Sequence, residues 1–211
     1  KVVIIDSGLP GKTIGIIASI HGNEIAGAET LDSLIRDNIR PTRGKLILVY
    51  ANRGGRLLGL RMNPATIRDT NRQFVDDLED PLAANIVAAV RDCDMIIDLH
   101  EGWGYYNGPL RDNVRSIGST LTPSFDEIWK ELAPMIVHEL DKSIDNYAKK
   151  FTILWDEWCK IDSSFNCYAH KQHIPYILVE TSGQNNIQPI GIRVGQMRDV
   201  IDTIMQKLQL I

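Results

Sequence analysis

The length and charge of this chain favour a single domain and exclude some classes of partner. Its 211 residues include 23 Lys and Arg against 27 Asp and Glu, which gives a formal net charge of −4. About 200 residues can bury one core, and an acidic chain without a basic stripe is poorly suited to bind phosphates. No apolar stretch reaches the ~18 residues of a membrane span. We therefore expect a small substrate and neither a nucleic-acid nor a membrane partner.

Cysteine usage and the first residue leave the compartment open. Cys93, Cys159 and Cys167 cannot all pair within the chain and show no C-x-x-C spacing. We therefore predict neither a disulfide framework nor a thiolate zinc site, and interpret the three side chains as buried or inert thiols. The chain begins at Lys1 rather than Met, which fits a trimmed start and a cleaved signal peptide equally well. The location therefore stays unknown, with the cytoplasm slightly favoured, or the periplasm if a signal peptide precedes Lys1.

The first half of the chain alternates strand and helix patterns. Short β-branched runs at 2–5 and 14–20, separated by Ser-Gly-Leu-Pro-Gly, predict two neighbouring antiparallel strands joined by a turn. Helical spacing follows over 23–35, and 45–51 is a third predicted strand. Residues 52–72 form a Gly- and Arg-rich segment without periodicity, and a loop of that length is usually functional or disordered.

The second half continues the same alternation. Asp80 and Pro81 begin a predicted helix that runs to residue 90, because proline suits the first helical position. Pro134 can break the helical pattern over 124–149. The other predicted elements are strands at 94–99 and 175–180, a short helix at 165–172 and a closing helix at 189–208. Strands that alternate with helices are typical of an α/β fold.

Three strand ends place metal-binding or proton-transferring side chains at one edge of the predicted sheet. His21, His100 and Glu180 each close an apolar run that predicts a strand. The carboxyl ends of the strands in an open α/β sheet form the edge where ligands bind. Glu24 follows His21 closely, and two histidines with one glutamate form a catalytic zinc set whose fourth position is left for water. The sequence therefore predicts one Zn²⁺ per chain, bound by His21, Glu24 and His100.

Two glutamates are candidates for the general base. Glu101 directly follows His100, and Glu180 lies far from it in the chain. Consecutive side chains of a strand point to opposite faces. If the strand continues through residue 101, Glu101 turns away from the metal, while Asp98 shares the face of His100. We predict Glu180 as the base and Asp98 as a carboxylate behind His100, with a plain core-edge aspartate as the alternative for Asp98.

The segment 52–72 is unusually basic for an acidic protein. Its arginines are Arg53, Arg56, Arg61, Arg68 and Arg72. Guanidinium groups bind carboxylates with two parallel hydrogen bonds, so a cluster of this kind is what a carboxylate pocket requires. A solvated turn is the alternative interpretation of the Asn-Arg pair at 71–72.

Four short motifs occur in order: His-Gly-Asn-Glu at 21–24, Asp-Thr-Asn-Arg-Gln-Phe at 69–74, Asp-Leu-His at 98–100 and Val-Glu at 179–180. With these motifs the chain resembles zinc carboxypeptidase-like hydrolases, in the branch containing succinylglutamate desuccinylase and aspartoacylase. The resemblance covers nearly the whole chain. It implies an α/β fold with a mixed, mainly parallel sheet flanked by helices on both faces.

The resemblance also implies a role for each matching residue. These roles are zinc ligation by His21, Glu24 and His100, base and acid catalysis by Glu180, binding of the substrate carboxylate by Asn71 and Arg72, and polarisation of the scissile carbonyl by Arg61. Another arginine of the segment 52–72 is the alternative for the last role.

Three departures from the family pattern are visible. Thr70 replaces the usual Leu and Val75 the usual Pro, both as packing changes. The chain ends at Ile211, so we expect one hydrolase domain over 1–211, without the C-terminal β-rich domain that helps close the pocket in desuccinylase and aspartoacylase. The segments 100–106 and 179–182 are also similar to bacterial cell-shape carboxypeptidases that trim peptidoglycan peptides.

The sequence therefore predicts zinc-dependent cleavage of an amide bond next to a free carboxylate. The first candidate is an N-acyl amino acid deacylase, and the alternative is a metallocarboxypeptidase acting on peptides, including peptidoglycan peptides. Both substrates place a carboxylate near the amide. A candidate of another class is a catalytically silent, zinc-containing module that binds carboxylates, against which the intact Glu180 argues. The oligomeric state stays open.

Overall fold

The fold is built on a seven-stranded sheet, seen in a computed structural model that describes residues 1–155 and 159–211. In chain order the strands are β1 (Val2–Asp6), β2 (Thr13–Ala18), β3 (Lys45–Tyr50), β4 (Met95–Gly102), β5 (Thr120–Pro123), β6 (Thr152–Ile153) and β7 (Tyr176–Ser182). Across the sheet their order is β1-β3-β2-β4-β7-β5-β6. Only β1–β3 and β5–β7 pair antiparallel among these described strands. The predicted mixed, mainly parallel sheet is confirmed.

Helices cover both faces of this sheet. They are α1 (Ala26–Arg36), α2 (Arg53–Leu58), α3 (Pro81–Val90), α4 (Glu127–Asp141), α5 (Phe165–Lys171) and α6 (Ile190–Lys207). On one face Leu31 of α1, Trp129 of α4 and Ile201 of α6 join the buried strand side chains. On the other face Ile86 of α3 and Phe165 of α5 do the same. The expected α/β architecture with helices on both faces is therefore confirmed.

The alternation of side chains along β4 decides which of them can reach the candidate site. Ile97 and Leu99 belong to the core beneath α1, α4 and α6, whereas Ile96 belongs to the core beneath α3 and α5. Successive side chains of a strand alternate between faces, so Asp98 and His100 share the face of Ile96. Every residue of β4 is buried, as expected of a central strand covered on both sides.

The predicted antiparallel pairing of the first two strands is wrong. β1 pairs with β3, with Val2 opposite Val49, and β3 separates β1 from β2. The connection after β1 bonds to the segment before β3: Ser7 donates its backbone N–H to the Gly44 oxygen (3.1 Å), and Gly44 donates to the Leu9 oxygen (2.9 Å). The crossover through α1 makes β2 and β3 parallel neighbours, which leaves the outer edge of β3 for β1.

The segment 52–72 is more ordered than the sequence indicates. Asn52 caps α2 by accepting a hydrogen bond from the Gly55 N–H, and Gly59 ends the helix with a φ of 66°, a conformation that favours glycine. A second short turn, Thr70–Arg72, begins after Asp69, whose side chain accepts from the Asn71 N–H. Most of the predicted loop is therefore held by caps and turns.

The structure confirms the predicted start of one helix and contradicts a predicted break in another. Asp80 accepts hydrogen bonds from the Leu82 and Ala83 N–H groups at 2.9 and 3.0 Å, and Pro81 occupies the first turn, which confirms the start of α3. Pro134 lies inside α4 without ending it, so the predicted break is wrong. Among the described residues, no helix is both long and apolar enough to cross a membrane.

Candidate metal and active site

The candidate site lies at the carboxyl end of the central strands. His21 and Glu24 lie in the connection between β2 and α1, and His100 and Glu180 are paired neighbours near the ends of β4 and β7. All four side chains are buried, with at most 5% of their surface exposed. Parallel pairing of β2, β4 and β7 aligns their carboxyl ends, so the fold brings together residues that are distant in the sequence.

Three of these side chains converge on one point. The His21 Nδ1 lies 2.8 Å from Glu24 Oε1, and the His100 Nδ1 lies 2.9 Å from Glu24 Oε2. The two Nδ1 atoms are 3.2 Å apart. Within the described chain these three residues form a group whose ligand atoms all lie within 4.8 Å of one another. Two imidazole nitrogens and a carboxylate are the donor set of a catalytic zinc site.

The surroundings of both histidines fit a cation between them. The His21 Nε2 lies 3.1 Å from Asp69 Oδ1, and the His100 Nε2 lies 3.3 Å from Asp98 Oδ2. A carboxylate at Nε2 fixes the proton there and leaves the Nδ1 lone pair for a metal. Asp98 is itself oriented by the Tyr176 hydroxyl, which donates to Oδ2 at 2.9 Å. The predicted position of Asp98 behind His100 agrees with this geometry.

The electrostatics also favour a positive charge at this point. Burial lowers the pKa of His100, but Asp98 and Glu24 together raise that pKa well above its ordinary value. Burial raises the pKa of Glu24, yet the charges of His21 and His100 outweigh this and hold the Glu24 pKa below its usual range. An ionised carboxylate beside two imidazoles is satisfied either by a proton or by a metal ion, so the residues present fit zinc.

Arg61 and Gln184 complete the surroundings of Glu24. Arg61 Nη1 donates to Glu24 Oε1 at 3.1 Å, and its Nε donates to Asp69 Oδ2 at 3.4 Å. Gln184 Nε2 donates to Glu24 Oε1 at 3.1 Å, and the Glu101 N–H donates to Oε2 at 3.1 Å. Arg61 thus links Glu24 and Asp69, the two carboxylates beside His21. The predicted contact of Arg61 is a different one, with a substrate carbonyl.

Glu101 faces away from the three converging side chains, as the alternation argument predicts. Its Oε1 accepts from the Ala26 N–H at the start of α1, and its Oε2 is paired with Arg193 of α6. Glu180 differs, because its buried Oε2 has no hydrogen-bond partner among the described residues. Burial raises the pKa of Glu180 well above its ordinary value, and the charge of His100 offsets only part of this. Of the two glutamates, only Glu180 is uncommitted.

A cavity of about 390 Å³ opens beside these residues. Of the residues singled out from the sequence, those that line it are His21, Glu24, Arg61, Asn71, Arg72, Glu180 and the second glutamate, Glu101. His100, at 1% exposure, is buried next to them. The Asn71 side-chain oxygen accepts from the Phe165 N–H at 2.9 Å, which leaves its NH₂ group as the donor available to a ligand. Arg72 Nη1 donates to the Asn71 backbone oxygen at 2.7 Å.

Other lining residues were not found from the sequence. They include Arg115, Thr120, Thr122, Lys160, Ser164, Asn166 and Gln184. Asp69 was recognised only as the first residue of the motif at 69–74. Its carboxylate could have indicated a partner for His21. The two threonines belong to β5, which is only four residues long and ends in a proline. Asn166 lies in the short predicted helix at 165–172, and the other residues lie outside the predicted elements, so sequence patterns gave no signal for a site at any of them.

The interpretation of all three cysteines as unpaired thiols is wrong for two of them. Cys159 and Cys167 form a disulfide across a sequence separation of 8. The sequence argument considered a C-x-x-C spacing and an odd total, and neither excludes a single short-range bridge. Cys93 is the free, buried cysteine, and burial raises the pKa of its thiol to about 12, which agrees with an inert side chain.

Gly22 is required by a close backbone approach beside the ligands. A Cβ atom at residue 22 would lie 2.3 Å from the Gly55 carbonyl carbon and 2.5 Å from the Arg56 nitrogen. We expect Gly22→Ala to displace α2 or the His21–Glu24 turn, with a loss of about 1–3 kcal/mol in the free energy of unfolding and weaker zinc binding. Thermal unfolding and zinc titration measure these effects.

Gly195→Ala is the matched control for Gly22→Ala. A Cβ atom at residue 195 would meet no atom of the described residues within 4 Å, and alanine is the better helix former. We expect this variant to bind zinc as the wild type does and to unfold at an equal or higher temperature. Wild-type stability and zinc affinity in Gly22→Ala would contradict the close approach.

The fold is carboxypeptidase-like. The product-bound cell shape determinant protein Csd4 from Helicobacter pylori superposes with a TM-score of 0.81 and 17% identity, covering 100% of this chain and 55% of that chain. An mDAP-bound form of Csd4, described as a D,L-carboxypeptidase, gives 0.79 and 18%, covering 95% and 52%. A succinylglutamate desuccinylase/aspartoacylase from Rhodobacter sphaeroides gives 0.70 and 17%, covering 100% and 58%. The chain thus spans little more than half the length of these proteins.

The family comparison agrees with the sequence motifs. Residues 10–104 match the model of the succinylglutamate desuccinylase/aspartoacylase catalytic domain. This range includes His21, Glu24, Asn71, Arg72 and His100. The resemblance predicted from the sequence is therefore confirmed. No curated protein sequence matches the chain.

Proposed function

We propose that this chain is a zinc-dependent hydrolase that cleaves an amide bond next to a free carboxylate. One observation is central to the proposal: the His21 Nδ1, the His100 Nδ1 and the Glu24 carboxylate converge beside a cavity that Glu180 and Arg72 also line. The names of the matched family and of the similar structures describe deacylases and a carboxypeptidase, which supports hydrolysis of a C–N bond.

Glu180 is assigned the proton transfers. His21, Glu24 and His100 would hold a zinc ion, which would supply a Lewis acid for the carbonyl and for the attacking water. Glu180 accepts the proton of the attacking water at its carboxylate and later delivers it to the nitrogen of the leaving amine. Its burial and the lack of a partner for its Oε2 among the described residues suit this role, because a carboxyl group that is not held in another contact can both accept and return a proton.

Asn71 and Arg72 are assigned the substrate carboxylate. The Asn71 NH₂ group is oriented by the hydrogen bond to its side-chain oxygen, and Arg72 lines the same cavity. Within the described chain, no carboxylate forms an ion pair with Arg72, whereas Arg61 is paired with Glu24 and Asp69. Arg72 is therefore the arginine of the two that is available to an anionic ligand.

We expect Arg72→Lys to raise KM with little change in kcat. Lysine keeps the charge but loses the planar pair of donors, and a contact of equal strength in the ground and transition states affects KM alone. The expected rise is about tenfold, as for one lost charged hydrogen bond. Steady-state kinetics on acid and amidated forms of the substrate measure it.

Arg68→Lys is the control for Arg72→Lys, because Arg68 is exposed and its position is outside the cavity lining. It should leave both kinetic constants unchanged. If Arg72 contacts the substrate carboxylate, Arg72→Lys combined with amidation should cost much less than the sum of the separate effects. Fully additive losses would show that Arg72 does not contact that carboxylate.

The first substrate candidate is an N-acyl amino acid, in line with the family that matches residues 10–104. The second candidate is a peptide with a free C-terminus. The size of the cavity supports this candidate. At about 390 Å³, lined as far as Thr122 of β5 and Leu154 after β6, the cavity falls within the range of sites for drug-sized ligands. It therefore has room for more than a single acylated residue.

A hydrolysis screen separates the candidates. Zinc-loaded protein is incubated with N-acyl amino acids, with muropeptides and with amidated versions of both, and the released amine is measured. Turnover of the free acids and not of the amides supports the proposed function, and the preferred panel identifies the substrate class. Binding of the acids without any turnover would show instead a silent carboxylate-binding module.

A further inference from the structure

We propose that the Cys159–Cys167 disulfide positions Asn71 for binding the substrate carboxylate. The disulfide loop, residues 159–167, forms a wall of the cavity and is hydrogen-bonded to the segment that contains Asn71. The inference rests on the proposed function only in the role of Asn71 as a carboxylate ligand. The positioning itself is a structural statement that is tested separately.

Two hydrogen bonds, each donated by a backbone N–H group, join the disulfide loop to the segment 70–74. The Phe165 N–H donates to the Asn71 side-chain oxygen at 2.9 Å, and the Phe74 N–H donates to the Ser163 oxygen at 3.0 Å. The Phe74 and Phe165 rings meet edge to face with centroids 4.9 Å apart, and both are buried. The orientation of the Asn71 amide is therefore set from the disulfide loop.

The same loop also supplies side chains to the cavity. Lys160, Ile161, Ser164 and Asn166 all line it, so four lining residues lie between the two cysteines. Cys167 is fully buried within α5, whereas Cys159 lies in the preceding turn. A covalent link across a separation of 8 limits the conformations that the intervening residues can adopt. The disulfide thus fixes the end of the loop that α5 does not hold.

Reduction of this bond tests the inference on the intact protein. A phosphine attacks one sulfur and displaces the other as a thiolate. Water then cleaves the phosphorus–sulfur bond, which gives two thiols and the phosphine oxide. The loop then keeps its hydrogen bonds to Asn71 and Phe74, but Cys159 is no longer bonded to Cys167. The proposed zinc ligands lie on other elements, between β2 and α1 and in β4, so none of them belongs to the disulfide loop.

The experiment compares wild-type protein, Cys159→Ser and the control Cys93→Ala, each zinc-loaded, with and without the phosphine. We expect reduction to raise KM about tenfold, the effect of weakening one hydrogen bond to a charged group, with kcat and zinc content unchanged. Cys159→Ser should show the raised KM without reductant and no further change with it. Cys93→Ala should behave as the wild type, because Cys93 is the free cysteine.

Amide hydrogen exchange provides a readout that needs no activity. On reduction, the Phe74 and Phe165 amides should exchange at least several-fold faster, while the amides of β4 keep their protection. Faster exchange at these two amides without turnover in any form would support the positioning and refute the proposed function. Unchanged exchange at both would overturn the inference, whatever the activity.

Three other results would also overturn it. One is alkylation of three thiols in the unreduced protein, which would show that the disulfide does not form. Another is a second zinc per chain in the unreduced protein. Cys159, Asp162 and Cys167 lie close enough to share a metal ion, but the sulfurs can bind one only as free thiolates. The third is an equal KM in Cys159→Ser and wild type.

Discussion

Glu180→Gln is expected to lower kcat by about 10²–10⁴-fold, the usual contribution of a general base, while zinc content and fold are retained. Glutamine has nearly the same shape but cannot accept a proton. Glu180 is not part of the group of converging ligand atoms, so metal binding does not require it. Single-turnover kinetics, zinc analysis and circular dichroism on the same preparation measure the three quantities.

Glu101→Gln is the matched control, since it changes the other buried glutamate of the same edge. Glu101 is paired with Arg193 and accepts from the Ala26 N–H, and it faces away from the zinc ligands. Loss of one charge of a buried pair costs about 3–5 kcal/mol, so this variant should unfold at a lower temperature. Its kcat per folded molecule should stay near the wild-type value. An active Glu180→Gln and an inactive Glu101→Gln would reverse the assignment.

The distinction between these two glutamates could be predicted from the sequence, because it follows from the two-residue period of a strand. Once β4 is known to continue to Gly102, His100 and Glu101 must lie on opposite faces. Parallel packing then places Glu180 beside His100, in the register that is observed. Local patterns were sufficient here because His21, His100 and Glu180 each lie at or near the end of a strongly apolar strand.

The rest of the site depends on contacts that leave no local pattern. The first two strands were expected to pair because they are close in sequence, but the crossover through α1 placed β3 between them. The disulfide loop reaches Asn71 across a separation of 94 residues. Such a contact depends on the tertiary packing of the disulfide loop together with α5. Sequence periodicity describes one element at a time and therefore cannot specify it.

The carboxylates behind the histidines are an intermediate case. Asp98 was predicted from alternation, whereas Asp69 was recognised only as part of a motif, and its contact with His21 became visible in the structure. Both were within reach of one physical argument, since a metal-binding histidine usually donates its other N–H to a carboxylate or carbonyl. The same argument predicts that zinc affinity falls most when a ligand is removed, and less when only the carboxylate behind a ligand is changed.

His100→Ala is expected to remove most of the bound zinc. The variant loses one of three protein ligands, and the affinity should fall by more than the ~10–100-fold that is typical when a partner behind a ligand is removed. Asp98→Asn and Asp69→Asn should show that smaller loss, because the ligands remain but are less well oriented. Metal analysis after dialysis and competition with a chelator measure the order.

His138→Ala controls for the loss of a histidine, because His138 is exposed on α4. A ligand that binds only the folded state raises the melting temperature, so zinc should stabilise wild type and His138→Ala but not His100→Ala. This comparison separates a lost ligand from a damaged fold. An unfolded His100→Ala would show no transition, whereas a folded one would melt at the same temperature with and without zinc. Full zinc occupancy in folded His100→Ala would show that the proposed ligand set is wrong.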